Sequence, residues 1–355
     1  MDRLRRTPVE PDAGIVDRAR GCLLGQLGGD SLGSLVEFRS MDAIRRQYPD
    51  GLRDLADGGY WDTLAGQPTD DSELALTLAR VLLAEGRFDP RKVVEAYVNW
   101  YQSDPFDMGG TTRTALRAAV GAVEKGGDPV AAAEAAASIT SQANGALMRV
   151  SPLGIFGHAL EPAALADLAR REAGLTHPNP VCRDASAAYT VTLAHVIRHG
   201  TPPGEVYERT MEWAAAQGLH PDILATLENA ADQAPPDFQV NMGWVRTALQ
   251  NAFFQLTHAA GVEEGVVDTV MRGGDTDTNG AIAGALLGAC HGLEGVPERW
   301  RCAILQCRPQ AGRPGVRRPR PQVFWPGDAL ELAGRLAEIG SQSAASGPSA
   351  QPGGH

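Results

Sequence analysis

Alternation of polar and apolar residues, the period of a half-buried strand, is almost absent from this chain. That absence argues against a sheet and for an all-α fold whose loops carry the polar clusters. No window reaches the roughly 18 uninterrupted apolar residues of a membrane span. The first residues, MDRLRRTPVEPDAG, are basic but lack the apolar stretch of a signal peptide. Cys22, Cys182, Cys290, Cys302 and Cys307 are odd in number and contain no CxxC pair, so they read as buried or free thiols in a reducing cytoplasm. Lysine is scarce, and positive charge is almost entirely arginine. With a net charge of −11 and a pI near 5.2, a nucleic-acid or anionic-membrane partner is disfavoured. A soluble, cytoplasmic protein is expected.

What is present is enough apolar residue, 43% of 355, to bury a large core. One helical domain over 14–340 is expected, with a flexible arm at 1–13, a solvated basic Pro/Arg loop at 308–321 and a disordered Ser/Gly/Ala/Pro tail at 341–355.

The chain is organised around 272–289, RGGDTDTNGAIAGALLGA. Asp275, Asp277 and Thr278 stand where the chain enters a long apolar helix, at the end whose unpaired N–H groups carry partial positive charge. One carboxylate there is a cap. Two with a hydroxyl crowd like charges, which a hard cation would relieve. Gly280, Gly284, Gly288 and Gly292 repeat every fourth residue, so another backbone is expected to approach closely. The run from Asp275 also matches the start of an EF-hand loop, but its twelfth position is Leu286 instead of the bidentate Glu, and that reading fails.

Thr69, Asp70 and Asp71 repeat the arrangement ahead of a helix predicted over 73–83. Alone they read as a cap with dipole-compensating acids. Two such clusters together offer the six or so oxygen ligands that one or two hard cations require. Glu37 follows a helix predicted over 15–27 and, on its own stretch, reads as a solvent-facing loop end. Asp107 suits catalysis or capping equally. Asn144-Gly145 forms a turn whose following N–H groups suit a phosphate. His177 reads equally as a cap or a ligand contact, and Trp244, usually core, stands at a helix mouth where it can stack on a flat ring.

Five motifs in order resemble the ADP-ribosylglycohydrolase family, of the type that includes the dinitrogenase-reductase-activating glycohydrolase. They are Gly29-Asp30-x-x-Gly33-x-x-x-Glu37, Thr69-Asp70-Asp71, Asp107-x-Gly109-x-Thr111-Thr112, Asn144-Gly145-x-Leu147-Met148-Arg149-x-x-Pro152 and Gly274-Asp275-x-Asp277-Thr278. Any one is weak; their order and spacing are specific. Gly110 stands where the family often has Asn, and Trp244 where a Tyr-type aromatic is common.

The resemblance implies an orthogonal helical bundle with two divalent cations, Mg²⁺ or Mn²⁺, in a cleft. Thr69, Asp70, Asp71 and Asp277 would hold one ion, and Asp275, Asp277 and Thr278 the other, with Asp277 bridging. Glu37 and Asp107 become the catalytic candidates. Gly109, Thr111, Asn144, Gly145, Met148, His177, Gly243 and Trp244 become substrate contacts. The implied activity is hydrolysis at the ribose anomeric carbon by a metal-activated water, releasing ADP-ribose from a modified protein side chain, arginine first. Serine-linked or other conjugates are the alternative, as is an immunity protein that binds or reverses an ADP-ribosyltransferase toxin. A two-metal phosphohydrolase and a non-catalytic binder are the rival classes. A Rossmann or P-loop enzyme is disfavoured, because Gly25-x-x-Gly28-Gly29 has the wrong spacing and no flanking strand.

Overall fold

A computed structural model describes residues 12–345, in which helices and connecting loops account for the whole path. The helices, in chain order, are α1 (Ala13–Gly33), α2 (Met41–Gln47), α3 (Asp70–Glu85), α4 (Pro90–Gln102), α5 (Gly110–Glu124), α6 (Pro129–Ala136), α7 (Ser151–Phe156) and α8 (Pro162–Gly174). They continue as α9 (Pro180–His199), α10 (Pro203–Ala216), α11 (Pro221–Ala230), α12 (Val245–His258), α13 (Val262–Val270), α14 (Thr276–Gly295), α15 (Glu298–Gln306) and α16 (Ala329–Ala345). Among the described residues there is no strand, only isolated bridges such as Ala143 with Trp244. Among the described residues no helix is long and apolar enough to cross a membrane.

Local chemistry explains many of the starts. Proline opens α4, α6 and α9, where its fixed φ is already helical and its missing N–H costs nothing. The side chains of Asp89, Asp128 and Asn179 accept from the first free N–H groups of the same helices.

The centre is the seam between α1 and α14. A Cβ on Gly21 would lie 2.2 Å from the carbonyl oxygen of Gly288, one on Gly25 2.1 Å from that of Gly284, and one on Gly29 2.0 Å from that of Gly280. The two backbones therefore touch. An alanine at any of these steps would force the helices apart, at about 1–3 kcal/mol for an overpacked core. Around the seam, α9, α12 and α13 pack on α14, while α3, α7 and α16 enclose α1.

The seam also explains where the observed elements depart from expectation. Glycine weakens a helix, so α1 reads as ending near 27. Packing on α14 carries it to Gly33, and Asp30 lies on the helix instead of a loop. Gly292, at φ 69°, breaks α14 where Asp17 of α1 reaches in, its Oδ1 accepting from the Leu293 N–H at 3.3 Å. No helix is expected from the sequence at α2, α7 or α8. The helix α16 continues to Ala345, five residues into the stretch read as tail; the rest of that tail and residues 1–11 of the arm lie outside the described residues.

The basic loop is also not simply solvated. Arg320, 5% exposed, places both Nε and Nη2 at 2.8 Å from the two carboxylate oxygens of Glu73 on α3. Trp100 Nε1 donates to the same carboxylate at 2.7 Å. A buried acid three residues from the Asp70 helix start recruits this arginine from the far end of the chain.

Candidate active site

The last step of the seam builds the site. Gly33 packs against the α14 start so closely that its Cβ would meet Asp277 Cα at 2.4 Å, and Thr276 Oγ1 donates to the Gly33 carbonyl at 2.7 Å. From there α1 turns out through Glu37, while α14 begins with Asp275 and Asp277. Carboxylate oxygens of Glu37, Asp275 and Asp277 lie within 4.8 Å of one another. Glu37 is only 3% exposed, so the reading of it as a solvent-facing loop end does not hold. Its Oε2 accepts from Trp61 Nε1 at 2.5 Å.

The second cluster arrives on the first turn of α3. Thr69 sits at the N-cap but does not cap through its own side chain. Asp30 of α1 does so across the helix pair, accepting from the Thr69 N–H at 3.1 Å and the Ser72 N–H at 3.1 Å. Thr69 Oγ1 lies 3.0 Å from Asp30 Oδ1 and 2.9 Å from Asp71 Oδ2. One hydroxyl proton cannot serve both carboxylates. Sequence reasoning placed Asp30 in a motif but gave it no role. Its signal was a carboxylate amid glycines inside an apolar helix.

Burial and mutual repulsion act on all these acids. Glu37 is pushed up to about 8, first by burial and then by the charge of Asp275. Asp107 is also pushed up to about 8, by burial and then by Glu37. Asp70, Asp71 and Asp277 are raised too, each chiefly by burial; the next contributors are Asp107 for Asp70, Asp70 for Asp71, and Glu37 for Asp277. No arginine or lysine forms an ion pair with any of them among the described residues. Asp71 Oδ1 and Asp277 Oδ2 are buried without a hydrogen-bond partner. An all-oxygen donor set with orphaned carboxylate oxygens fits a hard divalent cation.

Above the acids opens a cleft of about 310 Å³. It is lined by Glu37, Asp70, Asp107, Asp275, Asp277 and Thr278, and also by Gly109, Thr111, Asn144, Gly145, Met148, His177 and Gly243. Thr69 and Asp71 are buried beside it. Asn144 ties the walls together: its N–H donates to the Gly243 carbonyl at 3.0 Å, and its Nδ2 donates to Asp275 Oδ2 at 2.7 Å. The Gly109 N–H is spent on Asp70 Oδ2 at 3.3 Å, and Thr111 Oγ1 is 3.0 Å from Ser141 Oγ.

Trp244 is the predicted contact that lies apart. Its Nε1 donates to Gln142 Oε1 at 2.8 Å, the Arg246 guanidinium stacks at 4.8 Å from its ring centroid, and it faces a neighbouring shallow hollow with Thr140 and Met242.

His177 reaches the cleft on a buried network. Arg149 Nε donates to Glu172 Oε1 at 2.7 Å, and its Nη2 donates to Thr176 Oγ1 at 2.8 Å. The Thr176 proton is then free to go to His177 Nδ1, 2.7 Å away. With that proton directed at Nδ1, the ring proton would sit on Nε2, beside Gly145 at the cleft wall. Burial, then the Arg149 charge, pushes His177 down to about 3, so the imidazole is a neutral donor.

Comparison with known proteins identifies the family. The family model described as ADP-ribosylglycohydrolase matches residues 11–342. The chain is 32% identical over 289 residues to the ADP-ribosyl-[dinitrogen reductase] glycohydrolase of Rhodospirillum rubrum, covering 81% of this chain and 90% of that one. It is 27% identical over 308 residues to the ADP-ribosylarginine hydrolase Tri1 of Pseudomonas putida (strain GB-1), covering 83% and 76%. A solved structure titled ADP-ribosylglycohydrolase-related protein complex matches with a TM-score of 0.72 at 29% identity, covering 92% of this chain and 99% of that one. In sequence and in all-α fold, the chain belongs to the ADP-ribosylglycohydrolase family.

Proposed function

We propose that this protein removes ADP-ribose from ADP-ribosylated arginine side chains of proteins, with two divalent cations, Mg²⁺ or Mn²⁺, held in the cleft. The observation that carries the reading is the cluster of buried carboxylates at the foot of the cleft with no cationic partner among the described residues. Support for arginine comes from relatives named for that linkage, which include the Pseudomonas putida and Serratia proteamaculans proteins. The unpaired cysteines fit a reducing cytoplasm.

Thr69, Asp70, Asp71 and Asp277 would hold one cation, and Asp275, Asp277 and Thr278 the other. When bound, the cations supply Lewis acidity that orients ribose hydroxyls and acidifies a water. The rest falls to side chains of this chain. In hydrolysis the bond from the anomeric carbon to the guanidine nitrogen breaks, its electron pair leaves with the nitrogen, and water oxygen takes the carbon. Two protons must move: one leaves the water and one reaches the departing nitrogen. Glu37 and Asp107 face the cleft and share these tasks. The His177 Nε2–H and the Asn144–Gly145 turn would receive the diphosphate end.

The test is release of free ADP-ribose from an arginine-ADP-ribosylated protein with Mg²⁺, Mn²⁺ or EDTA. Release that needs the metal supports the reading. AMP or inorganic phosphate as product would point to a phosphohydrolase instead, and tight ADP-ribose binding without turnover on any linkage would leave a binding protein.

A further inference from the structure

Four aromatic side chains form a ladder beside the two acids left for proton transfer. Phe38 directly follows Glu37 and lines the cleft. Its ring meets Tyr60 edge-on at 4.9 Å, Tyr60 meets Trp61 edge-on at 4.9 Å, and Trp61 reaches Phe106 at 5.8 Å. Phe106 directly precedes Asp107. The ladder thus brackets Glu37 and Asp107 at both ends.

Its outer rungs are open to solvent, Phe38 at 46% and Tyr60 at 56% exposure. They are also firmly held. Phe38 has a left-handed backbone, φ 61°, and its N–H donates to the Gly274 carbonyl at 2.8 Å. The Tyr60 N–H donates to the Ser34 carbonyl at 3.2 Å, and a bridge between Gly58 and Thr63 closes the turn. Behind it, Trp61 donates to Glu37 while Arg318 Nε donates to the Trp61 carbonyl at 2.7 Å. Large apolar rings normally hide; here backbone strain and a clamp hold them out.

We propose that Phe38 and Tyr60, backed by Trp61 and Phe106, seat the guanidinium of the modified arginine as it leaves. This rests on the hydrolase reading above. The atom that departs must lie next to the residues that move its proton, so its side chain passes the ladder. A ribosylated guanidinium stays planar and cationic, and it suits aromatic faces next to carboxylates. Asp62 in the same turn is answered by Arg317 at 4.0 Å, so the negative charge beside the ladder is that of the cleft acids. An adenine tethered to a diphosphate would meet repulsion in the same place.

The experiment compares Tyr60→Ala, Phe38→Ala and Tyr60→Phe with wild type on ADP-ribosyl-agmatine and on a serine-ADP-ribosylated peptide, with ADP-ribose affinity measured alongside. Each alanine variant should raise KM for the agmatine conjugate about fivefold to tenfold. The affinity for ADP-ribose, which lacks the guanidinium, should change by less than about twofold. Tyr60→Phe, keeping the ring, should restore wild-type KM. Equal loss on both conjugates, or parallel loss of ADP-ribose affinity, overturns the seat and moves the rings to the peptide backbone or the adenine. An unchanged KM in both alanine variants, with wild type still releasing ADP-ribose, overturns the ladder's role alone. Failure of wild type to release ADP-ribose from either conjugate overturns the hydrolase reading, and the seat with it.

Discussion

Buried acids in this molecule are handled in two opposite ways. Glu73 and Glu172 each meet a buried arginine, Arg320 and Arg149, and an aromatic donor, Trp100 and Tyr97, although Glu172 Oε2 keeps no hydrogen bond. Asp70, Asp71 and Asp277 lie as deep, yet meet mainly each other and are given no arginine. Glu73 is two residues from Asp71, so the difference is not one of location. A carboxylate whose charge is answered within the chain is part of the scaffold. One whose charge is left open is a place for something from outside.

The sharpest way to break that comparison is to remove an open acid. Asp277→Ala should reduce ADP-ribose release by about 10⁴-fold, measured at saturating Mg²⁺ or Mn²⁺. The same variant should fold, and metal-free it should melt no lower than wild type, because it loses repulsion instead of a partner. A melting temperature several degrees below wild type would erase the distinction.

Removing a closed partner should do the reverse. Arg320→Ala leaves Glu73 buried and unanswered, at a cost of about 3–5 kcal/mol in chemical denaturation. Added Mg²⁺ should not repair it. Recovery by metal would mean that Glu73 belongs to the open set.

The third test uses pH. Glu37 is raised from its ordinary 4.5 to about 8, so the folded state holds its proton more tightly than the unfolded chain does. That contribution to stability is fully present below about 4.5 and lost as pH rises through about 8. The metal-free protein should therefore melt progressively lower across that window. Mg²⁺ or Mn²⁺ should restore the melting temperature, and more strongly at pH 8 than at pH 5. A flat metal-free profile by differential scanning calorimetry would mean that the open acids do not repel.

The smallest effect tests the closed network's one reach into the cleft. Thr176→Val removes the hydroxyl that sets the His177 tautomer. Substrate KM should rise about fivefold to tenfold with kcat little changed, and the ¹⁵N shifts of His177 should show both tautomers. Unaltered shifts would mean that the ring proton is fixed by other means.

Much of this contrast is legible in the sequence, and the missing part has a physical reason. The Asp275-Thr-Asp277-Thr278 run ahead of a four-residue glycine stripe announces both a crowded acid cluster and a close helix partner, since both follow from local spacing. Thr69-Asp70-Asp71 does the same for α3. What spacing cannot give is partnership across the chain. Nothing near Glu73 points to Arg320, 247 residues away, and a Pro/Arg-rich segment reads as solvated until its acid is known. Glu37 looks like a loop end because its burial is created by α14 and Trp61. Trp244 sits at a helix mouth, as its position implies, but its ring is engaged by Gln142 and Arg246 and lines the neighbouring hollow.

The seam between α1 and α14 has a further consequence, in the order of synthesis. Gly33 and Thr276, which lock the two halves of the site together, are 243 residues apart. Closing so long a loop is an entropic debt that only the finished interface repays, which makes the pairing a late event in folding. A chain still on the ribosome and short of Thr276 carries Glu37, Asp70, Asp71 and Asp107 without the helix that draws them together. Until α14 emerges, Asp275 and Asp277 are missing, and the acid cluster at the foot of the cleft cannot be complete.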